Sequence, residues 1–181
     1  IWSSDMSIEH VYIIAEAGVN HNGQRDMAFA LVDAAADAGA DAIKFQTFDA
    51  NKLASQSAPK AAYQKKTTDT SENQLEMLRK LELPREWHFE LQAYAKERNI
   101  IFLSTAFDAD SLRFLDDMDM PLFKVPSGEL TNGPLLWKFA RTKKPLVLST
   151  GMATLSEVEQ GLAIVAHALN AEGVPSSMDE I

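Results

Sequence analysis

Five short apolar runs recur along the chain, each preceding a turn and a stretch of helical periodicity, and this alternation leaves few folds open. Val11 to Ala15 reads as a first strand, Ala40 to Gln46 as a second, Ile100 to Leu103 as a third, Leu122 to Val125 as a fourth and Leu146 to Leu148 as a fifth. Between them the apolar positions return every three or four residues, as one face of a helix requires. Met27, Leu31, Ala34, Ala35 and Ala38 give the first stripe, ended by Gly39. Pro84 opens a helix carrying Trp87, Leu91, Tyr94 and Ala95. Asp108 or Ser111 caps the next, which buries Leu112, Leu115 and Met118, and Asn132 to Arg141 forms another. The last starts near Thr154 or Ser156, each with a glutamate three residues on, and its predicted buried face is Leu155, Val158, Leu162, Val165 and Leu169. Residues 49–72 are polar and aperiodic, and so read as a long functional or mobile loop.

Strands alternating with helices give an α/β fold with a parallel sheet. Two architectures meet that description: an open doubly wound sheet, or a (β/α)8 barrel, which typically takes eight units over about 250 residues. On pattern alone five units favour the open sheet. The Gly-x-Gly-x-x-Gly of a dinucleotide site is missing after the first strand.

Two lysines break the apolar pattern. Lys44 lies within Ala42 to Thr47 and Lys124 within Leu122 to Val125, in runs that otherwise read as buried strands. A buried ammonium costs several kcal/mol, roughly, unless an anion or carboxylate answers it. Equivalent lysines in separate units therefore point to a pocket for an anion, or to structural bridges with Glu16 or Glu129. Ligands of both architectures bind beyond the carboxyl ends of the strands, and polar residues gather there. Strand one ends in Glu16 to Gly23, strand two carries Lys44 and Gln46 on one face, and strand three ends in Ser104 and Thr105. Lys124, Ser127 and Glu129 follow on strand four, and Ser149, Thr150 and Gly151 on strand five. Asn20-His21-Asn22-Gly23 also suits a tight turn needing positive φ, and His21 is left without a role. The serine–glycine turns could simply join strand to helix, or leave amides and hydroxyls free for phosphate.

The net charge of −9 disfavours nucleic acid and anionic membrane as partners, so an anionic substrate must be drawn by a local basic site. With no cysteine there is no disulfide and no thiolate metal site, which suits a cytoplasmic protein. No apolar run approaches the length of a membrane span. Residues 1–10 read as an N-terminal extension or an expression remnant, and 11–181 as one domain.

Ile14 to Gly23, Lys44-Phe45-Gln46-Thr47, Ser104 to Phe107, Lys124 to Glu129 and Leu148 to Met152 together resemble the N-acetylneuraminate (sialic acid) synthase family, in its order and at its spacing. The resemblance runs from about Val11 to Leu169 and implies a TIM (β/α)8 barrel of the phosphoenolpyruvate-dependent synthase type, with about the first five units in this chain. It implies condensation of phosphoenolpyruvate with an N-acylated amino sugar, N-acetylmannosamine or a related sugar, to a nonulosonic acid and phosphate. Carried onto these residues, it gives Lys44, Thr105, Lys124 and Ser127 as phosphoenolpyruvate-binding, with Ser149 or Thr150 a weaker choice. Gln46 and Glu129 would bind the sugar, and Glu16 and Glu129 are the acid–base candidates. A divalent metal (Mn or Mg) and a homodimer are implied for the full-length protein. His10, His21, His88 and His167 do not match the family's metal positions, which fall beyond the last residue, as would barrel strand 6. The alternatives are an inactive barrel fragment that only binds, or a related phosphoenolpyruvate aldol-type synthase with another acceptor.

Overall fold

Parallel pairing is what the strand–helix alternation demands, and the computed structural model, which describes residues 10–53 and 74–171, has it throughout. The strands are β1 (Ile14–Gly18), β2 (Ala42–Thr47), β3 (Ile101–Ala106), β4 (Phe123–Val125) and β5 (Leu146–Leu148). The helices are α1 (Arg25–Asp37), α2 (Ala50–Leu53), α3 (Gln74–Leu81), α4 (Arg85–Glu97), α5 (Ala109–Asp117), α6 (Gly133–Arg141) and α7 (Leu155–Asn170). The ladder runs β1-β2-β3, β4 lies beside β3 without joining it, and β4 pairs with β5. Strands β1 and β5 are thus terminal among the described residues. No described helix is long and apolar enough to cross a membrane.

The core fills the layer between sheet and helices. Phe45 and Phe102 stack there at 5.7 Å, Phe123 meets the edge of Phe139 at 5.8 Å, and Leu91, Leu115 and Leu136 are fully buried among them. Capping follows the sequence closely. Asp108 accepts from the amides of Asp110 and Ser111, Asn132 from that of Leu135, and Thr154 forms a capping box with Glu157.

Several expectations shift. β1 begins three residues later than its apolar run, and Val11, Tyr12 and Ile13 are exposed. The Asp41 carboxylate fixes the start by accepting from the Ile13 amide at 2.6 Å, and β1 then runs on through Glu16 because Glu16 pairs in register with Lys44. β3 likewise continues through Ser104 and Thr105. On α1 the buried residues are Ala28, Val32 and Ala35, while Ala34 and Ala38 are exposed; an alanine-rich helix carries competing stripes, and the one holding β-branched Val32 packs. On α7 the predicted face holds only in part: Val165 packs partly buried against the core, but Leu155, Leu162 and Leu169 are 75%, 53% and 48% exposed, and Gly161, Ile164 and Ala168 are the buried residues. Small residues let α7 approach closely; a Cβ on Gly161 would stand 3.0 Å from Leu130 Cδ1. The long loop after β2 contains α2 and ends in α3, neither foreseen, and its residues 54–73 lie outside the described ones.

Candidate active site

The strand period carries one set of side chains away from the helices, toward the inner face of the sheet. Glu16, Lys44 and Leu103 are level on β1, β2 and β3, and Gln46 and Thr105 are level one step nearer the carboxyl ends. Lys44 is buried, and its Nζ lies 2.5 Å from Glu16 Oε2. Of the two carboxylates that could have answered it, Glu16 does. Gly18, at φ +54°, keeps the space beside this pair open: a Cβ there would stand 3.2 Å from Glu16 Oε1 and 3.6 Å from Gln46 Nε2.

Lys124 reaches the same region from β4. Burial lowers its pKa, the nearby Lys44 charge lowers it further, and Glu16 pulls it back up. Its Nζ donates to the Val125 carbonyl at 3.0 Å, an oxygen that also accepts from the Ser149 amide at 3.1 Å. Lys44 thus holds the ion pair with Glu16, while Lys124 lies near both charges and spends its hydrogen bond on a backbone carbonyl. Thr105 is 2% exposed, and its Oγ1 has no hydrogen-bond partner among the described residues. A buried hydroxyl without a partner costs about 1–3 kcal/mol, so it is an unmet demand on the site.

The loops after β4 and β5 close the rim. Ser127–Glu129 is a single 3-10 turn, and a Cβ on Gly151 would stand 3.5 Å from Ser127 Oγ. Ser127 and Thr150 are exposed, and Ser149 is half-buried. Glu129 is held in its own loop by Asn132 Nδ2 at 2.7 Å rather than by either lysine. The β1 loop forms successive turns, with Asn22 and Gly23 at φ +50° and +71° as its sequence suggests. His21 is buried behind it; burial lowers its pKa, and its Nδ1 accepts from the Gly23 amide at 3.1 Å.

Sequence reasoning missed the polar layer behind the pocket, where Thr47, Ser104 and His88 bond together. The available signal was His88 itself, three residues before Leu91 on the buried face of α4. No three His, Asp or Glu side chains converge among the described residues, so these residues do not fit a divalent-metal site.

Parallel βα units with their polar side chains collected at one end define a barrel-type α/β protein, of which the described residues supply five units. The NeuB family sequence profile matches residues 31–174, and the chain belongs to that family. It is 52% identical over 153 residues to the N,N'-diacetyllegionaminic acid synthase of Campylobacter jejuni, covering 84% of this chain and 46% of that protein. The enzyme of the same name from Legionella pneumophila is 48% identical, over 85% of this chain and 43% of the relative. Among solved structures, the sialic acid synthetase of Leptospira borgpetersenii superposes with a TM-score of 0.76 at 30% identity, over 87% of this chain and 50% of that one. The chain thus spans less than half the length of these two curated relatives.

Proposed function

We propose that this chain forms the phosphoenolpyruvate-holding part of a nonulosonic acid synthase, which joins phosphoenolpyruvate to an N-acylated amino sugar and releases phosphate. The observation that carries the proposal is the placing of Lys124 near the Lys44–Glu16 ion pair, with the unpartnered Thr105 hydroxyl in the adjoining register. Two cations with one counter-charge suit a small, highly charged anion. Lys44 and Lys124 take its carboxylate and phosphate, and Thr105 and Ser127 donate to phosphate oxygens. The two relatives of about 50% identity, both named for N,N'-diacetyllegionaminic acid, favour a diacetylated acceptor over N-acetylmannosamine. Gln46, beside Gly18 at the pocket mouth, is placed for sugar hydroxyls, and Glu129 on the rim for the same sugar.

In the proposed reaction C3 of phosphoenolpyruvate attacks the sugar aldehyde. Water adds to the cationic C2, and phosphate departs with cleavage of the C–O bond. The fixed lysines stabilise charge as it moves onto the leaving phosphate. Glu16, hydrogen-bonded to Lys44, is the proton-transfer candidate on this chain, with Glu129 second. A divalent ion (Mn or Mg) belongs to this reading through the family; its ligands lie outside the described residues, and no step here passes through it. Residues 11–181 are the barrel domain in the same reading, working in a cytoplasmic homodimer.

Titration calorimetry of this chain with phosphoenolpyruvate tests the anion site, and phosphate release by a chain extended to the relatives' length, over a panel of N-acylated sugars, tests the reaction. Binding that survives Lys44→Met with Lys124→Met would sink the first. Release independent of every amino sugar would sink the second. An inactive binding module is the outcome if the anion binds and the extended chain does not turn over.

A further inference from the structure

Nothing among the described residues holds Thr105 Oγ1 from the pocket side, so the place of that hydroxyl is set by the β3 backbone. What fixes the backbone there lies on the opposite face. Ser104 precedes Thr105 and Thr47 follows Gln46, and the strand period turns both side chains toward the helices. Thr47 Oγ1 lies 2.6 Å from Ser104 Oγ and 2.7 Å from His88 Nε2. His88 Nδ1 lies 2.9 Å from the Pro84 carbonyl, at the start of α4.

The direction of every bond in this chain follows from one atom. A carbonyl oxygen only accepts, so the proton of the neutral imidazole sits on Nδ1. Nε2 is then an acceptor, the Thr47 hydroxyl donates to it, and the Ser104 hydroxyl donates to Thr47. All three side chains are at most 5% exposed, so no water competes for these bonds. The rings of Phe102 and Phe114 stand near-perpendicular to the imidazole, with centroids 6.2 and 5.1 Å away, and confine its plane.

We propose that His88 is a positioning residue for the anion site: locked in one tautomer by Pro84, it pins the carboxyl ends of β2 and β3 through Thr47 and Ser104, and so holds Gln46 and Thr105 in register. The inference rests on the reading of Thr105 as a phosphate ligand. His88 touches no substrate and acts only through the strands. A neutral imidazole suits the task because a proton fixed on Nδ1 makes Nε2 an acceptor, so the Pro84 carbonyl at one end sets the polarity at the other.

The test uses this chain with inorganic phosphate as the probe. Nitrogen-15 spectra of the histidine rings at neutral pH are expected to show His88 protonated on Nδ1. Thr47→Val, which removes the hydroxyl at nearly constant volume, and His88→Phe are expected to move the Thr105 methyl resonance. Both should weaken phosphate binding by roughly five- to tenfold, the scale of one mispositioned hydrogen bond. Thr47→Ser, which keeps the hydroxyl, should restore both readouts, a rescue that loss of packing alone would not show. An Nε2-protonated His88, or a Thr105 resonance and phosphate affinity unchanged in Thr47→Val, overturns the proposal. The tautomer is read on the unaltered chain, so it decides even where a variant does not fold. Absence of phosphate binding to the unaltered chain overturns the anion site instead, which separates that failure from this one.

Discussion

Lys44 and Glu16 meet across the β1–β2 ladder with Nζ 2.5 Å from Oε2, and the pair is lopsided: 10% of the lysine side chain is exposed against 52% of the glutamate. The cation is the buried partner and the carboxylate the solvated one. An arriving anion therefore meets a charge already stripped of water, whose counter-charge can turn outward at little cost.

Replacing the lysines by methionine should consequently separate stability from binding. Lys124→Met removes a half-buried ammonium whose pKa burial already lowers, and the unfolding free energy in urea is expected to hold or rise, by up to about 1 kcal/mol. Lys44→Met leaves a half-exposed carboxylate that water can solvate, so its cost is also expected to be small. Either change should weaken phosphoenolpyruvate binding about tenfold or more, as expected for a charge-assisted contact. Calorimetry paired with urea unfolding reads both, and a parallel fall in affinity and stability would contradict the idea.

Lys124 also sets an alkaline limit. An anion prefers charged Lys124, so affinity is retained below the pKa of that group and lost as pH rises through it. Because burial and Lys44 lower this pKa, the loss should begin at lower pH than for a solvent-exposed lysine. Glu16 raises the pKa, so Glu16→Gln should move the loss to still lower pH. Affinities measured from pH 7 to 10 check the order; coincident curves for the two proteins would rule it out.

Gly23 is expected to be the least replaceable of the described glycines. Its φ is +71°, and a Cβ would stand 2.5 Å from the Lys80 backbone carbonyl, which cannot swing aside. Gly39 has a similar φ of +74° with open space around it. Gly39→Ala should therefore cost about 1 kcal/mol of backbone strain, and Gly23→Ala that amount plus the clash, roughly 2–3 kcal/mol. Equal midpoints in urea would show that the β1 loop does not pack on α3 in solution.

The strands and caps were legible because each has a local cause: apolar runs between turns, and Asp108, Asn132 and Thr154 ahead of helical periods. The pocket residues were legible for the opposite reason, as charges where the pattern calls for hydrophobes. Which stripe of a helix is buried was not legible on α1 or α7. Both carry apolar or small residues on more than one face, and only the close approach at Gly161 decides between the α7 stripes. The partner of Lys44 was left open between Glu16 and Glu129, since the choice depends on strand register. The Ser104–Thr47–His88 chain was invisible because its members are 16 to 57 residues apart and ordinary one by one.

That buried chain should also govern acid stability. Burial drives the pKa of His88 down to about 4 from 6.5, with Arg85 and His21 lowering it and the Pro84 carbonyl and Glu86 opposing. Between those values the unfolded chain binds a proton that the folded one refuses. The stability that this neutral histidine represents is present above about pH 6.5 and is lost as pH falls toward 4. The full span corresponds to about 3 kcal/mol, to which buried His21, its pKa also lowered by burial, adds with the same sign. Unfolding free energies in urea should therefore fall steadily from pH 7 to pH 4.5. His88→Asn, which cannot titrate, should start lower at pH 7 and fall less steeply, because only the remaining groups contribute to its slope. Equal slopes in the two proteins would mean that His88 takes up its proton without leaving the fold, and that the Thr47 hydroxyl can turn away from Nε2 at no cost.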